Sequence, residues 1–237
     1  MTGDRLVLLP GSGCTAALWS RVTLPEDVII PVLTEPDLDA EVDRLLGLLP
    51  TRFALAGLSL GAIVAMALVR RAPERVTRLC LMATNPYAPT AAQHEAWAAQ
   101  REVLRSRSAR ALQDSLLPVL LSPGRDDLVA PTLVMAEDLG AAAYSAQLAL
   151  QDTRVDERPG LAAVRCPTLV VAARGDRLCP VERHEEIARL VPGAELVVLE
   201  DCAHLAPLEQ PEAVTHHLRR WLGSPPASTG GADQRIV

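Results

Sequence analysis

The chain has 237 residues, enough for one sizeable core and short for two full domains. Apolar residues make up 49% and charged residues 22%, as in a globular protein, while aromatics at 3% are too few for a surface of rings stacking on nucleic acid or carbohydrate. A net charge of −6 argues against a nucleic-acid partner, whose phosphates call for a basic patch.

The opening MTGDRLVLLPGSG holds a short apolar stretch, far below the roughly 20 residues that span a bilayer. It also lacks the basic start of a signal peptide, and no later stretch is apolar for long enough to span. Cys14, Cys80, Cys166, Cys179 and Cys202 are scattered without a CxxC pair, which signals neither a zinc site nor a disulfide framework. These features predict a reduced, cytoplasmic protein with no metal and no membrane partner.

Arg5–Leu9 (RLVLL) is a short apolar run ended by Pro-Gly-Ser-Gly, the mark of a buried strand entering a loop. Val28–Leu33 is β-rich, but Pro31 demotes it to a sheet edge. Leu38–Leu49 places Leu38, Val42, Leu45, Leu46 and Leu49 on one helical face, closed by Pro50. Phe53–Leu58 is strand-like, and Leu60–Ala72 is a nearly all-apolar helix stopped by Pro73. Val76–Met82 is the next strand. From about residue 85 to 164 helical patterns dominate, with Trp97, Leu104, Leu112 and Leu116 on one helical face and an Ala-rich stretch over Leu133–Leu150. Alternation returns with strand Thr168–Ala173, helix Glu182–Val191, strand Glu195–Leu199 and helix Glu212–Leu222. The Pro/Gly/Ser-rich residues 223–237 are expected to be disordered.

Alternating strands and helices imply an α/β fold with a mainly parallel sheet covered on both faces. The division expected is a core of residues 1–84 and 165–222, with 85–164 as a helical cap over the strands' carboxyl ends.

Gly57-Leu58-Ser59-Leu60-Gly61 is a G-x-S-x-G between a predicted strand and a predicted helix, the setting of a nucleophile elbow. Its glycines avoid Cβ clashes in a tight turn and put Ser59 at a helix N-terminus, where negative charge is favoured. A serine hydroxyl needs a base. His94 and His184 fall in helices with polar surroundings and read as solvated, and the adjacent His216 and His217 point apart. His204, in Asp201-Cys202-Ala203-His204-Leu205, lies beyond a strand's carboxyl end. Asp176, in Ala173-Arg174-Gly175-Asp176-Arg177, also follows a strand and supplies the carboxylate that orients the imidazole. Asp126 and Asp127 are its rivals within the cap. The order Ser59, Asp176, His204 is the one that goes with a nucleophile elbow between strand and helix, unlike the two protease orders. Oxyanion donors are expected from the backbone N–H of Leu60 and of Ser12, in the loop Pro10-Gly11-Ser12-Gly13-Cys14.

On LVLLPGSG, LAGLSLGAIVA, CPTLVVAARGDRLCPVE and LEDCAHLAPLEQPEAV, in this order from Arg5 to about Leu222, the chain resembles the α/β-hydrolase superfamily, in its compact, cap-bearing, esterase- and lactonase-like branch. The resemblance implies a cofactor-free Ser-His-Asp site between sheet and cap, with Ser59, Asp176 and His204 as the triad and Ser12 and Leu60 at the oxyanion. It departs from many relatives in Pro10-Gly11, where they carry His-Gly, and starts almost directly with the first strand.

The function expected is hydrolysis of a small carboxylic ester or lactone through an acyl-Ser59 intermediate, in a monomer or homodimer acting on a small molecule. A C–C bond hydrolase of ring-cleavage products, an acyltransferase and a catalytically idle receptor are the alternatives, since the motifs are shared among them. A dehalogenase is disfavoured because those relatives carry Asp where this chain has Ser59. Arg101, Arg105, Arg107 and Arg110 crowd one cap segment and read as a solvated face rather than a carboxylate clamp. Cys14 and Cys202 read as packed thiols, and Trp97 and Met135 as residues of the cap's packing or of the pocket.

Overall fold

The computed structural model describes residues 4–223. Six parallel strands form one sheet in the order β2-β1-β3-β4-β5-β6. They are β1 (Arg5–Leu9), β2 (Val28–Ile29), β3 (Phe53–Leu58), β4 (Val76–Met82), β5 (Thr168–Ala173) and β6 (Glu195–Leu199). Every residue of β3 and β5 is buried, which is why these strands read as unbroken apolar runs. Pro31 ends β2 early, so the expected Val28–Leu33 strand is only two residues long and lies at the sheet edge.

Side chains alternate between two cores. Leu6 and Leu8 of β1 join Ala54, Ala56 and Leu58 of β3 on one face, under α9 (Pro211–Gly223) with Val214, Leu218 and Trp221. Val7 and Leu9 join Phe53 and Leu55 on the other, under α1 (Leu38–Leu48), α2 (Leu60–Arg71) and α7 (Val181–Leu190). Asp37 caps α1 by accepting the Ala40 N–H at 3.0 Å.

Four helices stand between β4 and β5: α3 (Ala91–Ser106), α4 (Ala109–Leu120), α5 (Val129–Asp152) and the short α6 (Arg158–Leu161). The apolar face expected over Trp97 to Leu116 is divided between two of them. Ser108 caps α4 through Ala111 N–H, so the chain breaks before it, and Trp97 and Leu104 of α3 meet Leu112 of α4 in a separate third cluster with Tyr144 and Leu148. Within α5, Gly140 leaves helical geometry at φ 80° and kinks the helix. A short α8 (Ala206–Glu209) precedes α9, which carries Gly223; residues 224–237 of the expected disordered tail lie outside the described residues.

The order of strands reverses between β1 and β3, since the chain leaves β1 for the edge at β2 and returns on β1's other side. In open α/β sheets ligands bind in the crevice at the carboxyl ends beside such a reversal. The loop after β1 and the turn after β3 flank it. Among the described residues no helix is long and apolar enough to cross a membrane.

Candidate active site

Ser59 occupies the turn between β3 and α2 with φ 55° and ψ −115°, a region that side chains other than glycine rarely adopt. Hydrogen bonds hold it there. Ser59 N–H donates to Met82 O at 2.9 Å, and Ser59 O accepts from Ala62 and Ile63 N–H at 3.0 Å each. The glycines on either side are required by close approach, as the motif suggested. A Cβ on Gly57 would lie 2.4 Å from Gly61 backbone, and one on Gly61 would lie 2.1 Å from the Leu9 carbonyl oxygen of β1.

Asp176 and His204 meet because β5 and β6 stay tied beyond their ends. The pairing of Ala173 with Leu199 continues in Arg174 N–H to Leu199 O at 2.9 Å and Gly175 N–H to Cys202 O at 2.8 Å. His204 Nδ1 then lies 2.8 Å from Asp176 Oδ2, with both residues buried. The other carboxylate oxygen accepts Leu178 and Cys179 N–H at 2.9 Å each. Burial pushes the Asp176 carboxyl up, but His204 and the two backbone donors more than offset it and hold the group below the usual carboxylate range.

Ser59 and His204 face one cavity of about 160 Å³, whose wall also includes Gly11, Ser12, Trp97, Tyr144, Arg154 and Cys179. Among the described residues no hydrogen bond joins Ser59 to His204; the shared cavity brings them together, whereas Asp176 and His204 touch. The N–H groups of Ser12 and Leu60 donate to no other described residue, and Ser12 Oγ is buried without a partner. The loop that carries Ser12 is fixed from above: Gly13, at φ 72°, donates its N–H to Gln147 Oε1 of α5 at 2.9 Å.

The lesser candidates sort clearly. Arg101 pairs with Asp152 at 2.6 Å, Arg105 with Glu102 at 2.6 Å and Arg110 with Glu137 at 3.0 Å, as a solvated face would. Asp127 lies against Arg125 and Arg21, away from His204. Cys14 and Cys202 are buried, with thiols pushed up to about 12 by burial. Trp97 lines the cavity, whereas Met135 is packed in the core under the sheet.

His184 corrects its sequence reading. It is fully buried rather than solvated, because the first turns of α7 face the loop after β4. Its Nε2 accepts Thr84 N–H at 2.9 Å, and Thr84 Oγ1 in turn donates to Ser59 O at 3.3 Å. Burial lowers its pKa to about 4, so it stays neutral. Two further residues escaped the sequence reading, Gln147, which bonds the loop after β1, and Arg154, which lines the cavity, since nothing in the local pattern marks which polar position meets another segment or a cavity.

Asp176, Cys179 and His204 place one ligand atom each within 4.8 Å of the others, the spacing of a metal site. The donor set does not fit one: hydrogen bonds take up both Asp176 oxygens, and burial keeps the proton on Cys179, whose pKa is about 12. A carboxylate–imidazole pair beside a serine on a helix N-terminus suits proton transfer from a nucleophile.

The model of the alpha/beta hydrolase family matches residues 6–216. The chain belongs to that family. It is 33% identical over 240 residues to a pimeloyl-[acyl-carrier protein] methyl ester esterase of Aromatoleum aromaticum, covering 90% of this chain and 95% of that protein. It is 25% identical to a pyrrolizixenacetamide deacetylase of Xenorhabdus hominickii, covering 94% of this chain and 82% of the other. Among solved structures, a thermophilic esterase from Thermogutta terrifontis superimposes with a TM-score of 0.81 at 27% identity, covering 93% and 90% of the two chains. This alpha/beta hydrolase is therefore an enzyme, a carboxylic ester hydrolase.

Proposed function

We propose that the chain is a serine esterase that cleaves a small alkyl ester of a carboxylic acid through an acyl-Ser59 intermediate. The observation that carries this reading is the buried Asp176–His204 hydrogen bond opening onto the same cavity as Ser59. With Nδ1–H donating to Asp176, His204 keeps Nε2 free to take the Ser59 proton as the hydroxyl attacks the ester carbonyl. The N–H groups of Ser12 and Leu60, unused by the other described residues, receive the oxyanion. His204 then protonates the leaving alcohol, and water enters by the same route to release the acid. Asp176, depressed below the usual range, stays ionised throughout and stabilises the imidazolium.

In this reading residues 85–164 are a cap whose helices roof the cavity, on a core built from the flanking segments. The esterases among the relatives support an ester of a carboxylic acid over a C–C bond or an acyl acceptor other than water. The enol-lactonase of Burkholderia xenovorans superimposes at 21% identity, which bears on fold alone, so lactones stand behind open-chain esters.

The test is hydrolysis of p-nitrophenyl acetate and butyrate by the wild type beside Ser59→Ala, with a fluorophosphonate probe on both. Loss of turnover by several orders of magnitude, together with loss of labelling, is expected for Ser59→Ala. Activity that survives the substitution would assign the nucleophile elsewhere.

A further inference from the structure

A buried guanidinium stands in the wall of the same cavity, and no acid among the described residues neutralises it. Arg154 follows α5, is 6% exposed and lines the cavity with Ser59 and His204. No ion pair among the described residues includes it. Its Nη2 donates to Gln93 Oε1 at 3.2 Å, its guanidinium carbon lies 5.2 Å from the centre of the Trp97 ring, and its Nε is buried with no partner. Gln93 is held in place by the capping box of α3, where its Oε1 also accepts Thr90 N–H at 2.9 Å. These contacts orient the guanidinium, but neither the amide nor the ring carries the negative charge that would balance it.

The acids nearest in sequence are all engaged elsewhere. Asp152 binds Arg101 at 2.6 Å and His94 at 2.8 Å, Asp156 binds Arg158 at 2.5 Å, and Glu157 binds Arg70 at 2.9 Å. No Asp or Glu lines the cavity among the described residues, whereas the uncharged Gln100 and Gln151 do. Burial draws the Arg154 pKa below its ordinary value, yet a guanidinium keeps its proton in proteins, so the charge is not relieved by titration. A buried charge with an open donor is unfavourable until an anion meets it.

We propose that Arg154 is a carboxylate subsite, and that the preferred substrate is a half-ester: the ester lies at Ser59 and a free carboxylate at the far end of the acyl chain lies on Arg154. The planar fork of a guanidinium matches the two oxygens of a carboxylate, and Arg154 is positioned by Gln93 and Trp97 to present it. The inference rests on the serine-esterase reading and names the substrate class of that site.

Monomethyl succinate, glutarate and adipate, assayed by titration of the released acid, are compared with neutral methyl esters of matched length. The wild type should favour the best half-ester by about 10-fold or more in kcat/KM. Arg154→Met should lower that ratio by about 10- to 100-fold, mainly through KM, and Arg154→Lys should restore part of it. A ratio unchanged in Arg154→Met, or a wild type that prefers the neutral esters, overturns the proposal. If Arg154→Met does not fold, the wild-type ratio decides. Binding of free glutarate to Ser59→Ala, followed by calorimetry, reads the subsite without turnover. Binding there that disappears on adding Arg154→Met supports the subsite even if Ser59 is not the nucleophile. No binding to the folded protein removes the subsite and leaves the labelling of Ser59 untouched.

Discussion

Gly61 sits where helix α2 crosses the end of β1, and the contact leaves no room for a methyl group. A Cβ there would meet the Leu9 carbonyl oxygen at 2.1 Å, and the atoms it meets are buried backbone of Leu9 and Pro10, so they cannot move aside. Gly61→Ala should therefore cost more than about 3 kcal/mol, the upper end of overpacking in cores, and lower Tm by about 10 °C in a thermal melt. A change of less than about 1 kcal/mol would mean that the turn can relax. The motif's glycines were legible in sequence because this constraint is local. Arg154 was not: its neighbour Asp152 suggests a pair, and only the arrangement of α3 against α5 shows that Asp152 is already taken by Arg101.

At the scale of elements, the strands were read with their observed limits at β1, β3, β4, β5 and β6, since each is a short apolar run bounded by Gly, Pro or charge. The inserted helices were harder, because their apolar positions face one another and the cavity as well as the core. One link between insert and sheet has a functional consequence. Gln147 of α5 accepts Gly13 N–H and donates to Leu33 O at 3.1 Å, joining the helices to the loop that carries Ser12. Replacing it with Leu leaves two buried backbone groups unpaired, at about 1–3 kcal/mol each. On the oxyanion role proposed for Ser12 N–H, Gln147→Leu should lower kcat on p-nitrophenyl butyrate about tenfold, less than the loss of a whole donor, because that N–H is displaced rather than removed. Stopped assays on the folded variant check this. An unaltered kcat would show that the loop keeps its shape without α5.

For the whole molecule, burial of His184 between α7 and the loop after β4 ties the fold's stability to pH. Its pKa falls from 6.5 to about 4 through burial. As the pH drops through 6.5 the unfolded chain takes up this proton, while the folded protein does so only near 4. Between those values the unfolded state holds more protons, so stability declines on acidification, by up to about 3 kcal/mol. Asp176, held below the carboxylate range, acts with the same sign at lower pH: its contribution is present above the unfolded value and is lost as pH falls through the folded one. Denaturant unfolding at pH 7 and pH 4.5 should show the decline, and His184→Gln, which still accepts Thr84 N–H, should reduce it by about 2 kcal/mol or more. An equal decline in both proteins would place the acid sensitivity elsewhere.

The α/β class, the parallel sheet, and Ser59, Asp176 and His204 as the residues to examine all followed from the sequence alone, because strand ends and the turns after them are set by neighbours in the chain. Which side chains share the cavity depended on tertiary structure. The strand order reversal beside β1, the continuation of the β5–β6 pairing that brings Asp176 to His204, the burial of His184 against Thr84, and the pairing of Asp152 and Glu157 with Arg101 and Arg70 instead of Arg154 are relations between segments far apart in sequence. Local pattern records the period of an element, and packing alone decides which of its polar residues meets water, another chain segment or a ligand.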